Sequence, residues 1–152
     1  MVRTLAIIVL LLGVVGIVIG GVFIGQGIAK SNLIVERMEI EQVSLALDPD
    51  NPNLYTLVTD IDAAQGAADV IAEHRRGIAP TYQELLAGER YDPTNPAQLS
   101  YAQALNLENY LYLAVAAFGL VQIALASGAF MVVTGIAFCG TGLVLLRLAP
   151  AS

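Results

Sequence analysis

The residues able to carry chemistry are few and far apart. His74 is the only histidine and Cys139 the only cysteine. A facial-triad iron site takes two histidines and a carboxylate, and a zinc site takes several His or Cys ligands. One chain cannot supply either set. A Ser-His-Asp relay would have to use His74, but the sequence contains no G-x-S-x-G turn. His74 stands with Arg75 and Arg76 at the end of a helical pattern, where cations complement the helix dipole. Cys139, between Phe138 and Gly140, reads as a buried membrane thiol without an intramolecular disulfide partner. Asp48-Pro49-Asp50-Asn51-Pro52-Asn53 offers oxygen ligands for calcium, yet Pro52 takes a ligand position and no glycine or distant Glu completes an EF-hand loop. It reads as a turn. There is no phosphate-binding glycine loop and no basic run for nucleic acid. The expectation is no catalytic residue, no metal and no cofactor.

Composition directs attention to the elements instead. Hydrophobic residues make up 57% and charged residues 13%, too apolar for an ordinary soluble domain, where charged residues approach about a quarter. The charges are segregated. All 13 Asp and Glu fall between Glu36 and Glu108, with Lys30, Arg37, Arg75, Arg76 and Arg90 in or beside that stretch. Arg3 and Arg147 stand alone at the far ends of the apolar runs.

Leu5 to Ala29 carries no charge and as a helix reaches ~37 Å, enough for a ~30 Å hydrocarbon core. Gly27-Ile28-Ala29 has the small-x-small form of a signal-peptidase site. The run is longer than a signal core of about 7–15 residues, which favours a retained anchor. Tyr110 to Leu146 is also uncharged and reaches ~55 Å, more than one span and less than two spans with a turn. One long helix fits best, with Val121 to Leu146 in the membrane and Tyr110 to Leu120 as a stem. Splitting it at Ser127-Gly128 would give a three-span alternative without a polar hairpin. The positive-inside rule places Arg3 and Arg147 in the cytoplasm, both termini with them, and the acidic middle outside.

Both apolar runs carry small residues at helical spacing. Gly13, Gly16, Gly20 and Gly27 share one face of the first. Ala117, Ala124, Gly128, Gly135 and Gly142 follow steps of seven and four in the second. A strict seven-residue repeat keeps a seam facing its partner, and small residues let membrane helices approach closely. The seams predict a packed hairpin, a homo-oligomer, or docking on a larger membrane complex. Gly16–Gly20 and Gly21–Gly25 also fit G-x-x-x-G. Gln122 is a polar side chain suited to hydrogen bonding between helices.

The middle reads as small helices. Ile34 to Leu47 predicts a helical extension and then one short strand. Asp60 to Arg76 predicts a helix with acids first and cations last, stopped by Gly77. Thr81 and Glu84 form a capping box for a short helix that Gly88 ends. Asn95-Pro96 opens the stem helix, to which Tyr101, Leu105, Tyr110 and Tyr112 lend apolar and aromatic character. The fold class is therefore mainly α: a two-span transmembrane hairpin with a small, mostly helical extracytoplasmic domain. The segments are 1–29 (first span), 30–108 (outer domain), 109–147 (stem and second span) and 148–152 (cytoplasmic tail).

Ala63-Ala64 through His74, Thr81-Tyr82-Gln83-Glu84-Leu85 and Ala117-Phe118-Gly119 resemble a family of small bacterial, often actinobacterial, two-span membrane proteins of unknown function. Some members carry the label of aromatic-ring-opening dioxygenase. This chain lacks the metal ligands such a reaction needs, and the resemblance implies no catalytic residues. The expected function is a non-catalytic structural or accessory subunit in the cell membrane, partnered by lipid and by itself or a larger complex. The alternative is an extracytoplasmic ligand-binding or sensing module. Against it, few residues follow Leu146 to act as an effector.

Overall fold

The computed structural model of the chain describes residues 2–41, 44–46 and 55–149. The Asp48–Asn53 turn and the end of the tail lie outside the described residues. The elements, in order, are α1 (Val2–Ile40), β1 (Ser44–Ala46), β2 (Tyr55–Leu57), α2 (Ile61–Ile78), α3 (Tyr82–Leu86) and α4 (Pro96–Leu148). The chain divides into two compact units. Unit 1 is Met1–Asn32 with Leu120–Ser152, and unit 2 is Leu33–Gly119.

Unit 1 holds the apolar parts of α1 and α4. Both helices are long and apolar enough to cross a membrane. Leu5, Leu11, Val18 and Val22 on α1, and Ile123, Phe130 and Val133 on α4, are more than half exposed. The residues turned inward are small. On α1 they are Ala6, Gly13, Gly20 and Gly27, and on α4 they include Gly128, Gly135 and Gly142. Large apolar groups outside and small ones inside invert the order of a water-soluble domain. The arrangement is compatible with a membrane protein. The helix α4 is unbroken through Ser127-Gly128, so the three-span alternative is not the fold.

Unit 2 is built on short-range signals. Asp60 caps α2, its side chain accepting from the Ala63 amide at 2.8 Å. Thr81 caps α3, accepting from the Glu84 amide at 3.2 Å, and the Thr81 hydroxyl donates to the Glu84 carboxylate at 3.2 Å. The Asn95 side chain accepts from the amides of Ala97 and Gln98, with Pro96 as first helical residue of α4. Before it, Asp92 accepts from the amide and hydroxyl of Thr94 at 2.8 and 2.7 Å. Those bonds hold the Asp92 carboxyl below the usual range. The buried Gln98 accepts from the Asp92 amide at 2.7 Å, tying the loop to the helix it precedes.

The core of unit 2 joins Ala64, Ala67 and Ala68 of α2 to Leu111, Ala114 and Phe118 of α4, with Val58 between elements. Ile34, Val35 and Met38 of α1 pack against it. Alanines at positions three and four apart form a flat helix face, so α2 can lie close while Leu111 and Phe118 supply bulk. Each such large side chain is worth about 1.5–3 kcal/mol when fully buried.

Two expectations need correction. One strand is expected, whereas two three-residue strands pair antiparallel, Ser44 opposite Leu57 and Ala46 opposite Tyr55. Tyr55–Leu57 is too short for an alternation pattern to register. The helical extension expected from Ile34 is present: α1 continues to Ile40, where Ile34, Val35 and Met38 give it a second apolar face to bury. Gly77 does not stop α2, which runs on to Ile78 and is capped by Ala79 in an extended conformation. Gly77 has right-handed helical backbone, and a β-carbon there would meet open space. Gly77→Ala should therefore raise the stability of the protein by about 0.5–1 kcal/mol, through lost unfolded-state entropy. Thermal unfolding reads this directly. A drop in stability would mean Gly77 serves as a left-handed cap after all.

Candidate functional site

The most concentrated polar chemistry in the described structure is a buried triad in unit 2: Arg75 of α2 with Glu108 and Tyr101 of α4. The Arg75 Nε donates to Glu108 Oε2 at 2.6 Å, and one terminal nitrogen donates to Oε1 at 3.3 Å. The other terminal nitrogen donates to the Tyr101 hydroxyl at 2.5 Å. The guanidinium carbon lies 5.0 Å from the Tyr101 ring centroid. The Tyr82 ring of α3 stands 6.0 Å from that of Tyr101, tilted by 41°. The helices α2, α3 and α4 thus meet at Tyr101, which is 1% exposed.

A fork-to-fork Arg–carboxylate pair satisfies both charges at once. The hydrogen bond that Arg75 donates to Glu108 raises the Arg75 pKa above its ordinary value, against the opposing pull of burial. No buried side-chain nitrogen or oxygen among the described residues lacks a hydrogen-bond partner. The polar groups of the triad spend themselves on one another, and the arrangement works as a clamp between α2 and α4.

His74 lies exposed beside the clamp in sequence. Arg76 is exposed as well, so of the three cations read as dipole partners only Arg75 is turned inward. The sequence did hold a signal for this. Ala64, Ala68 and Ala72 recur along one face of α2, and Arg75 is the next position on that face. Glu108 is the only acid in a helix of 53 residues. A lone acid buried on a long apolar helix needs a partner, and Arg75 sits at the end of the alanine face of α2 that packs against it.

The small-residue seams form the second constellation, and it lies within unit 1. A β-carbon added at Gly20 would stand 2.6 Å from the Gly128 carbonyl oxygen, and one at Gly128 would stand 2.8 Å from the Gly20 carbonyl oxygen. Gly13 and Gly135 are reciprocal in the same way, at 2.7 and 2.6 Å. Gly27 faces Leu125, and Gly142 faces Leu10 and the Ala6 carbonyl. Gly16 is looser, with its nearest neighbour, Gly135 Cα, at 3.5 Å. Gly21 and Gly25 face open space, so their G-x-x-x-G spacing points away from α4. Ala117 and Ala124 are half-buried. Of the three partners open to the seams, the chain itself supplies one: Gly13, Gly20, Gly128 and Gly135 meet each other in an antiparallel pair.

Cys139 sits on that seam, half-buried, with its thiol 3.8 Å from the Leu10 carbonyl oxygen. Gln122 is exposed. Among the described residues there is no cluster of three or more His, Cys, Asp or Glu able to hold a metal ion. Compared with protein-family models, curated proteins and solved structures, the chain matches none. The resemblance drawn from Ala63–His74, Thr81–Leu85 and Ala117–Gly119 therefore stands on those stretches alone.

Proposed function

We propose that the chain is a non-catalytic structural or accessory subunit, held in the cell membrane by α1 and α4, that assembles with its own copies or into a larger membrane complex. The observation that carries this reading is the inverted packing of unit 1. Glycines fill the contact between the helices while Leu, Ile, Val and Phe face outward. Lipid is the solvent for which that order makes sense, because close backbone packing replaces the missing hydrophobic drive. The antiparallel pairing brings both apolar ends to one side. The positive-inside rule, applied to Arg3 and Arg147, supports termini in the cytoplasm and an acidic middle outside.

The clamp supports a structural role for unit 2. Its arginine, glutamate and tyrosine have their hydrogen-bonding groups satisfied internally, whereas a catalytic pair would be expected to meet a cleft. Gentle detergent extraction of the tagged protein, native mass measurement and identification of companions test the proposal. A defined assembly, of one subunit type or several, is the expected result. A lone monomer that turns over a substrate would overturn it.

A further inference from the structure

Resting on the membrane-subunit reading, we propose that Gln26, Lys30 and Gln122 form a polar collar that contacts phospholipid headgroups, in the leaflet at the Asn32 and Leu120 end of unit 1. All three side chains are exposed. Gln26 and Lys30 stand one turn apart on α1, at neighbouring positions of one helix face. Gln122 stands on α4. Their amide and ammonium groups offer several hydrogen-bond donors each, which is what phosphate and ester oxygens accept.

The glycine contacts fix the levels. Gly13 meets Gly135 and Gly20 meets Gly128, so seven residues forward on α1 match seven back on α4. Continued by six more, the pairing sets Gln26 level with Gln122. Run the other way, it brings Arg3 within one turn of Arg147, and both arginines are exposed. Polar groups thus end the apolar band at both edges, at one level on both helices. From Arg3 to Gln26 is ~34 Å along α1, and from Gln122 to Arg147 is ~37 Å along α4. A hydrocarbon core of ~30 Å fits inside either length, and the headgroup layers extend it to ~40–45 Å. Both polar edges therefore fall in the headgroup layers.

Lipid, and not a protein neighbour, accounts for this coincidence. A neighbouring helix would cover one side of one helix. It gives no reason for a common level on both, nor for a bilayer's distance from the arginines. Between the two edges the surface is apolar: Val14, Val18 and Val22 on α1, and Ile123, Phe130 and Val133 on α4, are 44% to 71% exposed. An amide left in hydrocarbon without a partner is costly, so Gln26 and Gln122 mark where headgroup oxygens begin. Lys30, one turn further along, lays its stem on the apolar surface and carries its ammonium to the phosphates. Gln122, which its sequence position suits to a bond between helices, is instead exposed.

The test uses the full chain with Cys139→Ala, reconstituted in vesicles of phosphatidylcholine and phosphatidylglycerol. Single cysteines at Gln26, Gln122, Val18 and Phe130 carry a fluorophore, quenched in turn by lipids spin-labelled at the headgroup or deep in the chain. Gln26→Cys and Gln122→Cys should report one shared depth, in the headgroup layer. Val18→Cys and Phe130→Cys, which the same pairing sets level, should both report the hydrocarbon. Replacing Gln26, Lys30 and Gln122 together by Leu lengthens the apolar band by about a turn, so the Val18 label should move ~3 Å towards the bilayer centre. Labels at 26 and 122 that lie at different depths, or both in the hydrocarbon, overturn the proposal and leave the membrane reading standing. So does a Val18 label that the triple replacement does not move. Labels that no lipid quencher reaches at any of the four positions would sink both.

Discussion

Arg75→Ala should destabilise the protein by about 3–5 kcal/mol, the cost of leaving a buried charge without its partner. Glu108 would remain among Tyr101, Leu111 and the alanine face of α2, with its carboxylate desolvated and unpaired. A deficit of this kind comes from the stranded carboxylate, so it should shrink when the carboxylate is removed as well, whereas a deficit from lost packing alone would not. Glu108→Gln should be milder, because an amide can still accept from the guanidinium. Replacing both partners with apolar residues of similar volume should come out close to neutral. Thermal unfolding of the four proteins separates these cases. Equal losses in Arg75→Ala and in the double variant would show that the ion pair is not what the site depends on.

Gly20→Ala should open the contact between the two long helices. The added carbon meets the Gly128 carbonyl oxygen at 2.6 Å and the Val132 amide at 2.9 Å, both backbone atoms that cannot turn aside. Overpacking of this kind costs about 1–3 kcal/mol, and Gly20→Leu should cost more. Gly135→Ala should behave in the same way, since it meets the Gly13 carbonyl at 2.6 Å. Gly21→Ala and Gly25→Ala, which face open space, should leave the contact between the helices intact. Cys139 gives a built-in reporter, because its thiol lies against Leu10 on the same seam. In detergent, a thiol-reactive dye should label Cys139 at a lower temperature in Gly20→Ala than in the parent or in Gly21→Ala. Labelling curves that coincide for Gly20→Ala and Gly21→Ala would remove the seam from the account.

The contrast between these glycines shows what the amino-acid order discloses. The seam is readable because Gly13, Gly20 and Gly27 repeat every seven residues, opposite a repeat of Gly128, Gly135 and Gly142. Periodicity alone also admits Gly16, which touches α4 with room for a β-carbon, and the Gly21–Gly25 pair, which faces open space. Spacing finds a face; it does not say which face is covered. Helix beginnings are legible for a different reason. Asp60, Thr81 and Asn95 act on amides two or three residues away, so the whole interaction is written in a short stretch of sequence. Helix ends proved harder, as Gly77 shows, because a glycine can be helical or left-handed with no change in its neighbours.

Arg75 marks the opposite limit. Its partner is 33 positions away, and beside His74 and Arg76 it looks like one more cation at a helix end. Only the packing of α2 on α4 distinguishes it from its neighbours. The second strand, Tyr55–Leu57, is illegible for a similar reason, since it is defined by pairing with Ser44–Ala46 and not by any pattern of its own.

The claim on which the rest depends is that α1 and α4 cross the membrane as a hairpin and present the middle of the chain outside. Single cysteines at Arg90 and at Ala149, placed in the Cys139→Ala background and probed on intact cells with a membrane-impermeant thiol reagent, test it most directly. The account predicts labelling at position 90 in intact cells and labelling at position 149 only after the cells are opened. Position 90 protected until lysis, or both positions labelled alike, would contradict it.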